Sequence, residues 1–117
     1  MADITVRTLA DSLGLTVCSG ADRMDQPVTG GYASDLLSCV MAGAQAGNVW
    51  VTLQAHMNVV AVAALLDLAC VIVTEGAQPD EAALRRADER HIPILLTAES
   101  TYSVVARLAA LGVPGAR

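Results

Sequence analysis

Residues Val49 to Thr74 read VWVTLQAHMNVVAVAALLDLACVIVT, and the reading of this stretch decides the fold. Val49 to Leu53 is a short, unbroken apolar run with polar Gln54, His56 and Asn58 behind it, the pattern of a strand covered on both faces. His56 or Asn58 opens a helix, Val59 to Leu68, that is apolar almost all the way around. Cys70 to Thr74 is again continuous and β-branched, so it predicts a second buried strand. Helices alternating with short apolar strands at this spacing argue for an α/β layer structure with a mainly parallel sheet.

The same alternation continues outward. Upstream, Ile4, Leu9, Leu13 and Leu15 suit a helix over Thr5–Leu13 stopped by Gly14, then a strand over Leu15–Ser19. Gly20 to Gln26 is polar and reads as a loop, with an extended piece at Pro27 to Thr29. Gly30-Gly31 predicts a tight turn, because paired glycines open φ values closed to other residues. Leu36, Leu37, Val40, Met41 and Ala44 place a helix over Ser34–Ala46, with Ser34 or Asp35 at its start and Gly47-Asn48 as its stop. Downstream, Glu75-Gly76 ends the second buried strand. Pro79-Asp80-Glu81 then opens a charged, solvent-facing helix over Asp80–Arg90. Ile92–Leu96 is a fifth strand. Ser100-Thr101 caps a last helix over Tyr102–Leu111, which Gly112 and Pro114 terminate. The expectation is one α/β domain over residues 1–117, a mainly parallel sheet of about five strands flanked by helices in three layers.

Composition narrows the function. The chain has 117 residues, 54% hydrophobic and 16% charged, with only three aromatics, which is more apolar surface than a lone small globule normally hides. The helix Val59–Leu68 sharpens the point: a helix apolar on every side needs cover beyond its own sheet. A second copy supplies that cover, or the first and last helices supply it within a monomer. A homodimer is the expectation taken forward. The net charge is −5, and the basic residues are seven arginines and no lysine. That leaves no basic stripe for nucleic acid, and it excludes a P-loop lysine, a Schiff-base lysine and a lysine general base. Cys18, Cys39 and Cys70 stand far apart in apolar surroundings and read as buried thiols of a reducing compartment. The N-terminus lacks the pattern of a signal peptide, and the longest apolar stretch, broken by Asp67, is too short for a bilayer. A cytoplasmic location is expected, with no membrane partner.

If the sheet is parallel, its strand ends bring together Ser19-Gly20, Thr29 to Gly31, Gln54 to His56, Thr74 to Gly76, and Thr97 to Thr101. Such a rim is where open α/β sheets bind ligands. The candidate ligand-binding residues are Thr29, Gly30, Gly31, Tyr32, Ser34, Gln54, His56, Thr74, Glu75, Gly76, Glu99 and Ser100. The backbone N–H groups of Gly31 and Tyr32 would face an anion or a partner's loop. Asp35 would repel an anion. Each candidate also has a plain structural reading: the glycines as a turn, Ser34 and Asp35 as helix-start residues, Gln54, His56 and Asn58 as caps, and Glu75 and Glu99 as solvated strand-end acids. An enzyme using His56 with Glu75 or Glu99 requires those side chains to converge. A single rim histidine makes a zinc site of three or four ligands improbable, so no metal and no cofactor is expected.

The Thr29-Gly30-Gly31 element resembles the motif of the DRTGG domain family. Gly30 to Leu37, Gly47 to Gln54 and His56 to Leu68 are similar to stand-alone members of that family, so the resemblance covers essentially the whole chain. Pro27 and Val28 stand where the motif has Asp and Arg, and any role of those two side chains is not carried over. The resemblance implies an α/β domain that dimerises. Such domains are regulatory or assembly modules attached to phosphotransacetylases, to CBS-containing pyrophosphatases and, in a related fold, to HPr kinases. Kinase activity is not implied: phosphoryl transfer by the P-loop route needs a Gly-rich phosphate loop and its lysine, and neither is present. The resulting expectation is a non-catalytic, homodimeric regulatory module. It would sense a small anionic metabolite or nucleotide, or dock to a metabolic enzyme or kinase. The alternatives are a ligand-free scaffold and the His56 enzyme.

Overall fold

A computed structural model describes residues 3–116. The five strands are β1 (Thr16–Ser19), β2 (Gly30–Ala33), β3 (Asn48–Thr52), β4 (Cys70–Val73) and β5 (Ile94–Leu96), and the five helices are α1 (Val6–Leu13), α2 (Leu37–Gly43), α3 (Met57–Leu65), α4 (Glu81–Glu89) and α5 (Thr101–Leu111). They form one sheet in the order β1-β5-β4-β3-β2. The pairs from β2 to β5 are parallel, and β1 is antiparallel to β5, with a register shift between Val17 and Ser19. The α/β architecture and the mainly parallel five-stranded sheet expected from the sequence are therefore observed.

The helix ends follow local chemistry. Thr5 and Thr8 cap α1 reciprocally, and Gly14 ends it with φ 65°. Asp80 accepts the Ala83 N–H at the start of α4, and Ser100 accepts that of Ser103 at the start of α5. Glu81 pairs with Arg85 on the exposed face of α4, as its spacing predicts.

Alternation along the strands divides the core into two layers. Val49, Val51, Cys70, Ile72 and Leu95 face the side covered by α1 and α5, through Val6, Leu9, Leu13, Val104 and Leu108. Trp50, Val71, Val73 and Ile94 face the side covered by α2, α3 and α4, through Val40, Val59, Val60, Ala63 and Ala87. The strand order explains this split: β2 to β5 advance in one direction, so crossovers of one hand place α2, α3 and α4 on one face. The first and last helices lie on the opposite face and do not cover α3.

Two expectations are corrected. Gly30-Gly31 is not a turn but the first half of strand β2, pairing with Asn48 and Val49, and neither glycine has a positive φ. The chain turns earlier: residues 24–28 run beside the N-terminal segment, with Val28 N–H donating to the Ile4 carbonyl and Val6 N–H to that of Gln26. The helix expected from Ser34 begins only after Leu36, which provides no side-chain cap.

Candidate functional site: the rim and the β2 edge

At the carboxyl ends of β2 and β3 the link between β2 and α2 is bound down on the sheet. Asp35 Oδ1 accepts the Thr52 hydroxyl and the Leu53 N–H, both at 2.8 Å. The Thr52 oxygen in turn accepts the Gln54 N–H at 3.0 Å, and the Gln54 amide donates to the Asp35 carbonyl at 3.1 Å. The indole N–H of Trp50 reaches the Ser34 carbonyl at 2.9 Å, while the Ser34 hydroxyl accepts the Leu36 N–H. Asp35 is thus an anchor for the loop rather than a helix cap. The anchored loop holds Leu36 (61% exposed) and Leu53 (43% exposed) out in solvent.

Toward the sheet centre, the buried Thr74 hydroxyl lies 2.7 Å from that of Thr101 and 3.4 Å from the Thr52 carbonyl. Glu75, held at φ 63°, accepts the Thr101 N–H with its carboxylate at 2.8 Å. The anion position at the start of α5 is therefore occupied by a side chain of the protein itself. Glu75 N–H donates to the Glu99 carbonyl and Gly76 N–H to that of Thr97. The Glu99 carboxylate pairs with Arg107, whose guanidinium also donates to the Ser12 carbonyl at the end of α1.

Gln54, Thr74, Glu75, Glu99 and Ser100 thus lie at the expected rim, but their side chains bond to the protein itself: Gln54 to the β2–α2 link, Thr74 and Glu75 to the start of α5, Glu99 to Arg107, and Ser100 to its own helix. His56 is exposed and caps α3, its Nδ1 accepting the Asn58 N–H at 3.2 Å. No hydrogen bond among the described residues joins it to Glu75 or Glu99. Every buried side-chain nitrogen and oxygen among the described residues has a partner. Among them, too, no cluster of three or more His, Cys, Asp or Glu side chains is placed to hold a metal, and no helix is long and apolar enough to cross a membrane.

Thr29 lies before the strand, its hydroxyl donating to the Ala46 carbonyl at 3.1 Å and accepting the Asn48 amide at 3.3 Å. The Gly31 N–H expected to face an anion instead donates to the Pro114 carbonyl at 2.8 Å, and the Gly31 carbonyl accepts the Ala116 N–H at 2.9 Å. The C-terminal segment is thereby laid along the open edge of β2. Tyr32 packs with its ring against Gly43. Of the three cysteines only Cys70 is buried; Cys18 is half-buried and Cys39 is exposed on α2, against expectation. Burial pushes the Cys70 thiol up to about 12 and raises that of Cys18.

Sequence reasoning expected α3 to need cover beyond its own sheet but did not say which side is left open. Val59, Val60, Val62 and Ala63 are buried, but Met57, Ala61 and Leu65 form an outward ridge, Leu65 being 68% exposed. Their four-residue spacing puts them on one face, but in a helix apolar all round only the packing on the sheet decides which face is left out.

With this geometry established, comparison defines the class. The model of the DRTGG domain matches residues 8–111, and the chain belongs to that family. Its fold is similar to that in a crystal structure of the CBS and DRTGG domains of the regulatory region of Clostridium perfringens pyrophosphatase, complexed with an activator, diadenosine tetraphosphate. The TM-score is 0.73 at 16% identity, over 94% of this chain and 47% of that one. The chain therefore spans about half the length of this relative. A search of curated proteins finds no match to the sequence.

Proposed function

We propose that this chain is a non-catalytic regulatory module that works as a homodimer, with the exposed ridge of α3 in the contact. The observation that carries the reading is the alignment of Met57, Ala61 and Leu65 on one face of a helix whose opposite face is already buried in the sheet. Apolar side chains at this spacing, with an alanine between two larger residues, suit packing against another helix. The rim supports the regulatory half of the reading: Glu75, Glu99, Thr74 and Thr52 are engaged in holding strands and helices, and His56 serves as a cap.

Light scattering on the purified chain tests the proposal. The wild type is expected at twice the mass of one copy, and Leu65→Glu, which changes a residue outside the core, at the single mass with an unchanged circular dichroism spectrum. A wild-type mass of one copy at high micromolar concentration overturns it.

A second element of the reading concerns the effector. The similar regulatory region was crystallised with a nucleotide activator, so nucleotides are the effector class to try first. A saturable rise in melting temperature with diadenosine tetraphosphate or a mononucleotide would support it. No rise across that panel counts against it and favours docking to a partner enzyme or kinase.

A further inference from the structure

Gly31 is a glycine in a strand that neither its backbone conformation nor its neighbours require. Gly30, its neighbour, is constrained: an added Cβ would lie 3.2 Å from both the Asn48 amide nitrogen and the Pro114 carbonyl oxygen. A Cβ on Gly31 would meet only Val49 Cγ1 at 3.5 Å and Val113 Cγ1 at 3.6 Å, ordinary van der Waals contacts, and its φ is not positive. Glycine in a strand weakens it through backbone entropy and lost side-chain packing. Neither conformation nor steric exclusion requires the glycine here. What its missing side chain leaves is space.

That space belongs to a half-open recess of 150 Å³ between β2, α5 and the C-terminal segment. Its walls include Val51, Leu108 and Val113, all buried, with Tyr32, Val105 and Ala109 also lining it. Among the described residues no charged side chain lines it. Beside it, Ala33 offers a hydrogen-bonding pair. Backbone groups alternate along a parallel strand, and Gly31 directs its N–H and C=O outward to the C-terminal segment. Ala33, two residues on, therefore directs its own N–H and C=O to the same edge, beyond the Ala116 N–H that bonds Gly31.

We propose that this recess is a binding site for a small neutral ligand: a ring-sized apolar group against Gly31, carrying an amide- or hydroxyl-like function that bonds to the Ala33 backbone. The volume matches that in which an apolar protein cavity of about 150 Å³ holds a benzene ring. The uncharged lining of the described residues selects against ions, because a desolvated charge finds no partner among them. The site is separate from the α3 ridge and does not rest on the dimer reading.

The test uses the full chain and three probes of one size: benzamide, benzoate and benzylamine. Amide and methyl NMR shifts are followed in titrations of the wild type, Gly31→Ala and Ala109→Leu. Benzamide is expected to shift Gly31, Ala33, Val105 and Ala109 saturably. Benzoate and benzylamine are expected to bind at least tenfold more weakly. Gly31→Ala, whose methyl meets no close contact, is expected to fold and to weaken benzamide at least tenfold by filling the floor; Ala109→Leu narrows the recess from the α5 side with the same effect. The proposal is overturned by no saturable shift with benzamide up to its solubility, by shifts centred elsewhere, or by affinity unchanged in both variants. Equal binding of the three probes also overturns it.

Discussion

Asp35→Ala removes the anchor of the β2–α2 link, and its cost follows from what each lost partner can do next. One carboxylate oxygen accepts two donors at 2.8 Å, the Thr52 hydroxyl and the Leu53 N–H. Leu53 is exposed, so water replaces the carboxylate at its N–H and the loss there is about 0.5 kcal/mol. Thr52 is 0% exposed, and its oxygen already accepts the Gln54 N–H, so its hydroxyl hydrogen loses its acceptor in a buried position at a cost of about 1–2 kcal/mol. The sum is about 2 kcal/mol, a fall in melting temperature of roughly 6–12 °C for a domain of this size. Asp35→Asn keeps an oxygen in place and gives up only the charge, so about 0.5–1 kcal/mol is expected. Urea unfolding measures both values, and hydrogen exchange reads the anchor directly: the Leu53 amide should lose protection in Asp35→Ala while the β4 amides change only with global stability. If Asp35→Ala lies within 0.5 kcal/mol of wild type, or Asn costs as much as Ala, the hydrogen bonds do not anchor the loop and the reasoning fails.

Two further predictions probe the scaffold. Gly20 sits at φ 65°, and an added Cβ would come within 2.3 Å of the Pro93 nitrogen, so Gly20→Ala should cost more than the roughly 1–2 kcal/mol of left-handed strain alone, measured by urea unfolding. Cys70 makes stability fall at high pH. Its thiol is raised from 9.0 to about 12 by burial, so the unfolded chain releases a proton that the folded chain keeps. The stabilisation it represents is whole below pH 9 and declines above it, at most by about 1.4 kcal/mol per pH unit up to the folded value. Denaturant midpoints taken from pH 8 to pH 10.5 should show the decline in wild type and a shallower one in Cys70→Ala.

Much of this molecule was legible in local patterns. The strands around Val51 and Ile72 were readable as continuous apolar runs because both of their faces are covered, and the caps at Asp80 and Ser100 because capping is an interaction of near neighbours in sequence. The candidate rim was legible in part: Gln54 to His56, Thr74 to Gly76 and Thr97 to Thr101 follow parallel strands at one end of the sheet, whereas Thr29 to Gly31 opens β2 and Ser19-Gly20 ends the antiparallel β1, both at the opposite end. Its chemistry was not. Whether Glu75 meets a ligand or the Thr101 N–H, and whether Asp35 caps a helix or holds Thr52, depends on residues 17–26 positions away. No local pattern encodes such a pairing.

By itself, then, the chain's order of apolar and polar residues determined that strands and helices alternate and where most of them begin and end, and its composition that no lysine of this chain is available for chemistry. The tertiary structure alone decided that Gly30-Gly31 lies in an edge strand, that α1 and α5 leave α3 uncovered, and that Leu65 faces outward. The physical reason is that periodicity and capping act over a turn of helix or a few strand residues, whereas strand pairing and layer assignment are contacts between distant segments. A glycine pair reads as a turn until a neighbouring strand supplies its register, and a helix apolar all round has no preferred face until the sheet takes one.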